Sequence, residues 1–360
     1  MKKSPLHGLH AELGARLVEF AGWEMPIQYS GVLAEHRAVR EAAGIFDISH
    51  MGEFFVRGPE AAAWLNGLLC NDLAKLALGQ GQYSLMLNEQ GGVIDDLIVY
   101  RLAEHEFLLV VNASMLAEDL AWLRAHAQSG VEIDDRSAAY AALAIQGPES
   151  AALFRVLAGE GEQLPERNGI GEMASRSGKA LVCRTGYTGE DGFELFVPAL
   201  DGCEWMRRAL ELGAPLEVLP CGLGARDSLR LEMGYPLNGA DLRPDRTPLQ
   251  AGLGFFVAME KGDFIGRAAL VEEKERGLPA RLAAIRMDER GPPPRSPYPV
   301  FGDGLPIGEL CSGAFSPTLG TGIAMAYLPP EAAAAGTDLE VEIRGRRHRA
   351  KTVKKPFIQR

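Results

Sequence analysis

The sequence has few cysteines, no long hydrophobic run and no excess of positive charge. Its five cysteines lie far apart, without a Cys-x-x-Cys pair or a histidine at ligand spacing, which argues against disulfides and a structural zinc site. The richest apolar stretch, Phe107-Leu-Leu-Val-Val111, is too short to span a bilayer, and no secretory-type apolar segment follows the basic start. The net charge of −11 disfavours a general nucleic-acid binder. We therefore expect a cytoplasmic protein with no membrane or nucleic-acid partner.

The signatures of several large enzyme classes are also missing. There is no G-x-x-x-x-G-K-[ST] loop, and Gly222-Leu-Gly224 begins a dinucleotide fingerprint whose third glycine is replaced by Asp227. The sequence contains no G-x-S-x-G elbow and no H-E-x-x-H, and its seven histidines do not cluster. Nucleotide binding and serine-hydrolase chemistry are poorly supported, and we expect no metal.

The composition is that of a globular protein with more than one domain. Apolar residues make up 47% and charged residues 24% of the chain, and 360 residues predict two or three domains. Two β-rich runs over 82–87 and 93–100 flank a short Asn/Gly-rich loop and predict a hairpin. Helical patterns cover 33–43 and 223–233. From about residue 280 onward, short strands with Gly and Pro turns predict a β-rich domain.

Asp95 and Asp96 interrupt an apolar strand pattern. Successive side chains of a strand point to opposite faces. Asp95 therefore groups with Leu97, whereas Asp96 groups with Tyr100, and the two carboxylates cannot form a dyad on one face. Burying an unpaired carboxylate costs several kcal/mol, so a buried one needs a donor or a cationic ligand. The pattern fits two interpretations equally well. Either one carboxylate is buried at a functional site, or one aspartate faces solvent and the other caps a loop.

Glu194 and Arg226 are two further candidates for a binding site. Glu194 lies on a largely apolar strand, where its carboxylate can accept two hydrogen bonds from an amidine-like heterocycle edge, or can face water at a sheet edge. Arg226 and Arg230 share a helix face, and Asp227 can offset Arg230. That leaves Arg226 in need of an anion, unless this helix face is simply solvated.

The segment 344–355 is strongly basic within an acidic protein. Its alternation fits a hairpin. The positive charge is explained either by a strand edge that resists further pairing or by a docking surface for an acidic partner.

Several motifs stand in a fixed order along the chain. They are Phe20-Ala-Gly-Trp-Glu-Met-Pro26, Phe46-Asp-Ile-Ser-His-Met51, Gly91-Gly-Val-Ile-Asp-Asp-Leu-Ile-Val99, Gln146-Gly-Pro148, Arg184-Thr-Gly-Tyr-Thr-Gly189, Gly222-Leu-Gly-Ala-Arg-Asp-Ser-Leu-Arg-Leu-Glu232, Phe264-Ile-Gly266 and Ser312-Gly-Ala-Phe-Ser-Pro-Thr-Leu-Gly320. Together they resemble the T-protein family of the glycine cleavage system, the tetrahydrofolate-dependent aminomethyltransferases. The resemblance covers essentially the whole chain.

The resemblance implies an α+β fold with three domains in a cloverleaf arrangement around a central folate hole. Residues 1–50 with 137–278 would form a discontinuous α+β first domain. Residues 51–136 would form an α+β second domain inserted into the first, and 279–360 a β-barrel-like third domain.

The resemblance also implies the roles of individual residues. The catalytic aspartate of the family matches Asp95, and its pterin-edge carboxylate matches Glu194. Arg226 would bind the carboxylates of the folate glutamyl tail. The other folate-lining positions match Met51, Tyr83, Asn112, Tyr187, Tyr235 and, by a looser alignment, Arg360. Family members commonly read Leu-Tyr-Gly where this chain has Leu237-Asn238-Gly239.

The implied activity is transfer of a one-carbon unit from an aminomethyl group on a lipoylated carrier protein to tetrahydrofolate, with release of ammonia. The alternatives are a related folate-dependent demethylase and a non-catalytic folate-binding protein of iron–sulfur maintenance. The latter class carries a Lys-Gly-Cys-Tyr-Ile-Gly-Gln type motif, and its cysteine is absent from Lys261-Gly-Asp-Phe-Ile-Gly266.

Overall fold

The computed structural model describes residues 1–159, 163–288 and 291–360. The helices are α1 (His7–Glu12), α2 (Val32–Glu41), α3 (Ala61–Leu68), α4 (Leu116–Ala125), α5 (Ser150–Ala158), α6 (Gly202–Gly213), α7 (Leu223–Glu232) and α8 (Arg267–Arg276). The strands are β1 (Lys2–Lys3), β2 (Arg16–Phe20), β3 (Trp23–Gln28), β4 (Gly44–Asp47), β5 (Gly52–Arg57), β6 (Gly81–Leu87), β7 (Val93–Ala103), β8 (Glu106–Val111), β9 (Glu132–Asp135), β10 (Tyr140–Gln146), β11 (Ile170–Ser175), β12 (Gly178–Cys183), β13 (Gly192–Pro198), β14 (Leu219–Cys221), β15 (Arg281–Met287), β16 (Pro299–Gly302), β17 (Leu305–Ser316), β18 (Thr321–Leu328), β19 (Asp338–Ile343) and β20 (Arg346–Val353). Within the described ranges, every helix is too short or too polar to cross a membrane.

The chain divides into two compact units. The first comprises Met1–Leu65, Leu73–Tyr83 and Leu97–Arg226, and the second comprises Asn66–Asp72, Ser84–Asp96 and Asp227–Arg360. The division into three domains stays a prediction.

A six-stranded sheet organises the first unit, in the order β11-β12-β13-β10-β4-β14. Helices α5 and α6 pack against it, on β13 and β10 respectively. The strands β10 and β13 are buried along almost their whole length, as expected of apolar runs in the middle of a sheet. Apolar side chains of both helices and the sheet form one core, which includes Leu153, Phe193 and Met206.

A second sheet has the order β6-β7-β8-β5-β9 and contains the predicted hairpin. In the turn between β6 and β7, the Asn88 side chain accepts a hydrogen bond from the Gly92 amide at 2.8 Å. Gly91 has a φ of 78°, a conformation that glycine adopts without steric cost. The Asn/Gly-rich loop thus closes the hairpin as predicted.

The C-terminal region is a closed barrel of six strands in the order β15-β18-β17-β16-β19-β20. Inward-facing residues such as Ile285, Val300 and Val341 fill its interior. The predicted α+β class and the predicted β-barrel at the C-terminus are both confirmed.

Candidate functional site

Glu194 lies in the middle of the six-stranded sheet, not at its edge. It stands on β13, between Ala144 of β10 and Cys183 of β12, and is 8% exposed. The Thr185 hydroxyl donates to Glu194 Oε2 at 2.6 Å and lies 2.8 Å from the Tyr100 hydroxyl. Burial raises the pKa of the Glu194 carboxyl, while the Thr185 hydrogen bond and the charge of Arg226 oppose that rise. The other oxygen, Oε1, accepts no hydrogen bond from any residue the structure describes, which leaves it available to a ligand.

The loop that carries Thr185 and Tyr187 is held by buried side chains. The Gln146 amide donates to the Thr185 carbonyl at 3.0 Å, and its carbonyl oxygen accepts from the Thr188 hydroxyl at 2.8 Å. Arg40 donates to the Thr188 carbonyl at 2.7 Å. Because both ends of this loop are fixed, Tyr187 is presented from a rigid support.

The start of α7, which carries Arg226, is also fixed. The fully buried Glu35 accepts the backbone N–H groups of Tyr29, Gly31 and Gly222 at 2.6, 3.0 and 2.8 Å. A Cβ on Gly222 would lie 2.4 Å from the backbone of Ile27, so only glycine permits this approach. Glu35 was not singled out in the sequence, because its role depends on three amides that are distant along the chain.

Arg226 lies with two of the predicted folate-lining residues. Its guanidinium carbon is 4.7 Å from the centroid of the Tyr187 ring, and its Nη2 is 4.0 Å from Met51 Sδ. Arg226 also acts electrostatically on Glu194. The structure therefore brings together Met51, Tyr187, Glu194 and Arg226, and we call these four residues the acid–arginine cluster.

Tyr83 and Asn112 belong to the same compact unit as this cluster. Tyr83 lies on β6 and Asn112 directly follows β8, and both are partly exposed. The Asn112 carbonyl accepts the Met115 amide at 3.0 Å in the turn that begins α4.

The two strand aspartates have different environments. The burial of β7 alternates, so Asp95 is on the more buried face with Leu97 and Val99, and Asp95 itself is 0% exposed. Asp96, on the opposite face of the strand, is partly exposed. The predicted separation of the carboxylates onto opposite faces is confirmed. Asp95 as the catalytic residue stays a prediction.

Asp95, Tyr235 and Arg360 all belong to the second compact unit. Next to Asp95, the carbonyl of Ile94 accepts a hydrogen bond from the Asn238 side chain at 3.0 Å. Asn238 thus holds the strand beside Asp95. Tyr235 is partly exposed, and Arg360 is exposed at the C-terminus.

Arg230 is not a free cation. It donates to Asp227 at 2.7 Å, which confirms the predicted pairing, and to the fully buried Asp241 at 2.8 Å. The Asp241 carboxylate also accepts from the Ser312 hydroxyl at 2.7 Å. Arg230 therefore fixes the segment after α7, whereas Arg226 points to other partners.

The basic segment forms the predicted hairpin, but β20 is not an edge strand. It pairs with β19 on one side and with β15 on the other. The edge explanation of its charge is wrong because closure of the barrel supplies a second neighbour. Acidic residues of β19 face the basic ones, and the ion pairs Arg347–Glu340 and Lys351–Asp338 measure 3.4 and 3.0 Å.

In the part of the chain that the structure describes, no three His, Cys, Asp or Glu side chains form a group that could hold a metal ion.

Two family models match this sequence. The family model of the GCVT N-terminal domain matches residues 6–261, and the family model of the glycine cleavage T-protein C-terminal barrel domain matches residues 281–359. The chain belongs to the glycine cleavage T-protein family.

Relatives of this T-protein family member match over their full length. This chain is 49% identical to an aminomethyltransferase of Symbiobacterium thermophilum, over 100% of this chain and 98% of the relative. It is 42% identical to an aminomethyltransferase of Bacillus subtilis over 100% of both chains. The crystal structure of the glycine cleavage system aminomethyltransferase T from Bartonella henselae superimposes with a TM-score of 0.93, at 37% identity, covering 99% of this chain and 98% of that one.

Proposed function

We propose that this aminomethyltransferase moves the one-carbon unit of an aminomethyl group, carried on the sulfur of a lipoylated protein, to tetrahydrofolate. The carbon–sulfur bond breaks and leaves the dihydrolipoyl thiol on the carrier. The carbon becomes bonded to N5 and N10 of the folate, and its amino group leaves as ammonia. The observation that carries the proposal is the acid–arginine cluster, in a chain whose relatives are aminomethyltransferases over their full length.

The acid–arginine cluster offers the two recognition groups that a reduced folate requires. Glu194 has one oxygen held by Thr185 and the other available, which suits a carboxylate that accepts from the N–H and NH2 edge of the pterin. Arg226, lying over the Tyr187 ring, suits the carboxylates of the glutamyl tail. Tyr83, Asn112, Tyr235 and Arg360 remain proposed folate-lining residues.

A carboxylate of the Asp95–Asp96 pair would supply the catalytic charge. Positive charge develops on the transferred carbon as a leaving group departs, and on N5 as it attacks. A fixed anion stabilises that charge and can accept the N5 proton. The family resemblance selects Asp95. However, Asp95 is fully buried, whereas Asp96 is partly exposed. This difference favours Asp96 for direct contact with a substrate.

Paired variants test the two carboxylates. We expect Asp96→Asn to lower turnover by about a hundredfold or more, the usual effect of losing an electrostatic or acid–base group, with folate binding largely intact. Asp95→Asn should mainly lower thermal stability, since it changes a buried polar group. If only Asp95→Asn abolishes turnover, the assignment implied by the resemblance holds. Wild-type turnover in both variants would remove the pair from the mechanism.

The lipoylated carrier is the proposed partner, and dependence on it tests the function as a whole. Purified protein is mixed with tetrahydrofolate and an aminomethyl-loaded lipoyl carrier, and methylene-tetrahydrofolate and ammonia are both measured. Equal amounts of the two products, formed only with the carrier, support the proposal. Formation of methylene-tetrahydrofolate from a small methylated amine without the carrier would favour the demethylase alternative. The cytoplasmic location stays a prediction.

A further inference from the structure

His50 is a buried histidine whose ring makes no hydrogen bond to any residue that the structure describes. The residue is 3% exposed, its Nδ1 is fully enclosed without a partner, and Nε2 is bonded to no residue within the described ranges. His10 is also fully buried, but both of its ring nitrogens have hydrogen-bond partners. Its Nε2 lies 2.7 Å from Asp47 and its Nδ1 lies 2.9 Å from the Tyr29 hydroxyl. Buried polar groups usually have partners, so the ring of His50 calls for an explanation.

The position of this ring is fixed by its surroundings. His50 lies in the turn between β4 and β5, where Asp47 Oδ1 accepts both the amide and the hydroxyl of Ser49 at 2.8 and 2.6 Å. The Met51 amide closes the turn on the Ile48 carbonyl at 3.0 Å. The edge-to-face contact with Phe20 has a centroid distance of 5.5 Å. The absence of a partner therefore does not reflect a loosely held side chain.

His50 borders the acid–arginine cluster along the chain. Its neighbour in sequence, Met51, contacts Arg226. Burial lowers the pKa of His50 to about 4, and the positive charge of Arg226 contributes to that shift, so the imidazole is neutral at pH 7. A neutral imidazole carries one N–H. On the enclosed Nδ1 that N–H would have no acceptor, which favours the tautomer with the proton on Nε2.

We propose that His50 is a further binding residue, which donates from Nε2 to the glutamyl carboxylate bound by Arg226. The inference rests on the proposed folate function and extends it. A carboxylate has two oxygens and can accept from the neutral His50 ring as well as from the cationic guanidinium of Arg226. The N–H of the neutral His50 ring would orient the bound carboxylate. Because the ring is uncharged, it does not repel the guanidinium of Arg226.

Two substitutions and two ligands test this role. His50→Leu removes the donor, whereas His50→Gln keeps an N–H near the position of Nε2. Binding is measured for tetrahydrofolate and for 6-methyltetrahydropterin, which keeps the pterin edge and has no carboxylate. We expect His50→Leu to raise the Kd for tetrahydrofolate by about ten- to hundredfold, the range for a lost hydrogen bond to a charged group, and to leave the Kd for 6-methyltetrahydropterin within about twofold. His50→Gln should restore most of the loss.

Steady-state kinetics and a matched variant separate this role from a structural one. His50→Leu should raise the KM for tetrahydrofolate with kcat nearly unchanged, since a carboxylate contact is the same in ground and transition states. His10→Leu, which breaks a paired buried histidine, should lower the melting temperature without changing the ratio of the two Kd values. Unchanged tetrahydrofolate binding in folded His50→Leu, or equal weakening for both ligands, would overturn the inference. A wild-type protein that binds neither ligand would overturn the proposed function itself.

Discussion

The hydrogen bond from Thr185 to Glu194 leads to a prediction that depends on pH. Thr185→Val keeps the shape of the side chain but removes the one hydroxyl that, among the described residues, donates to Glu194, at 2.6 Å. A hydrogen bond to a charged group contributes about 1.5–3 kcal/mol. Its loss destabilises the ionised carboxylate, so the pKa of Glu194, which burial already raises, should rise further in the variant.

Folate binding should report this change. The ionised carboxylate is the form that accepts two hydrogen bonds from the pterin edge, so protonation of Glu194 weakens binding. At a pH where Glu194 is ionised in the wild type but protonated in Thr185→Val, the variant should bind up to about a hundredfold more weakly. As the pH rises above the higher pKa, both proteins are ionised and the difference should shrink.

The assay is titration calorimetry with 5-formyltetrahydrofolate at several pH values across the range in which the protein stays folded. Thr188→Val is the matched control, because Thr188 lies in the same loop and its hydroxyl bonds Gln146 instead of Glu194. The control should change stability but show no pH-dependent deficit in binding. A deficit in Thr185→Val that is the same at every pH would refute the proposed role of the Glu194 charge.

The remaining predictions concern stability and the carrier. Arg230→Leu leaves the carboxylate of Asp241 buried without its cation and should lower the free energy of unfolding by about 3–5 kcal/mol in urea titrations. Arg276→Leu breaks only an exposed i,i+4 pair and should cost about 0.5 kcal/mol or less, so equal losses would contradict the argument. If the basic hairpin docks an acidic carrier, Arg346→Glu and Arg347→Glu should each raise the KM for the carrier, and added salt should do so in the wild type. Carrier kinetics that are insensitive to salt would count against docking there.

The sequence predicted the elements whose patterns are local. The β6–β7 hairpin is encoded by two alternating runs and an Asn/Gly turn, and α7 by an amphipathic stretch. Helix α8 was not predicted, because it buries the carboxylate of Glu273 as well as Leu270 and lacks an apolar stripe. Glu273 accepts hydrogen bonds from Thr247 and Gln250, partners that a local pattern cannot identify.

The candidate site was predictable in part for the same reason. Alternation alone placed Asp95 and Asp96 on opposite faces, but their exposure depends on what covers each face. The position of Glu194 in the middle of a sheet required the pairing of β13 with both β10 and β12. The lack of a hydrogen-bond partner for the His50 ring among the described residues depends on the folded environment, and nothing in the local sequence distinguishes His50 from the paired His10.

The central claim is that a reduced folate receives the carrier-bound carbon in this protein, and a single-turnover experiment tests it most directly. A lipoyl carrier loaded with a 13C-labelled aminomethyl group is mixed with the protein and tetrahydrofolate, and the label is followed by NMR. The label should appear in the methylene bridge between N5 and N10, with one ammonia released for each labelled carbon. A label that stays on the carrier, or is released as free formaldehyde at the same rate with and without tetrahydrofolate, would contradict the account.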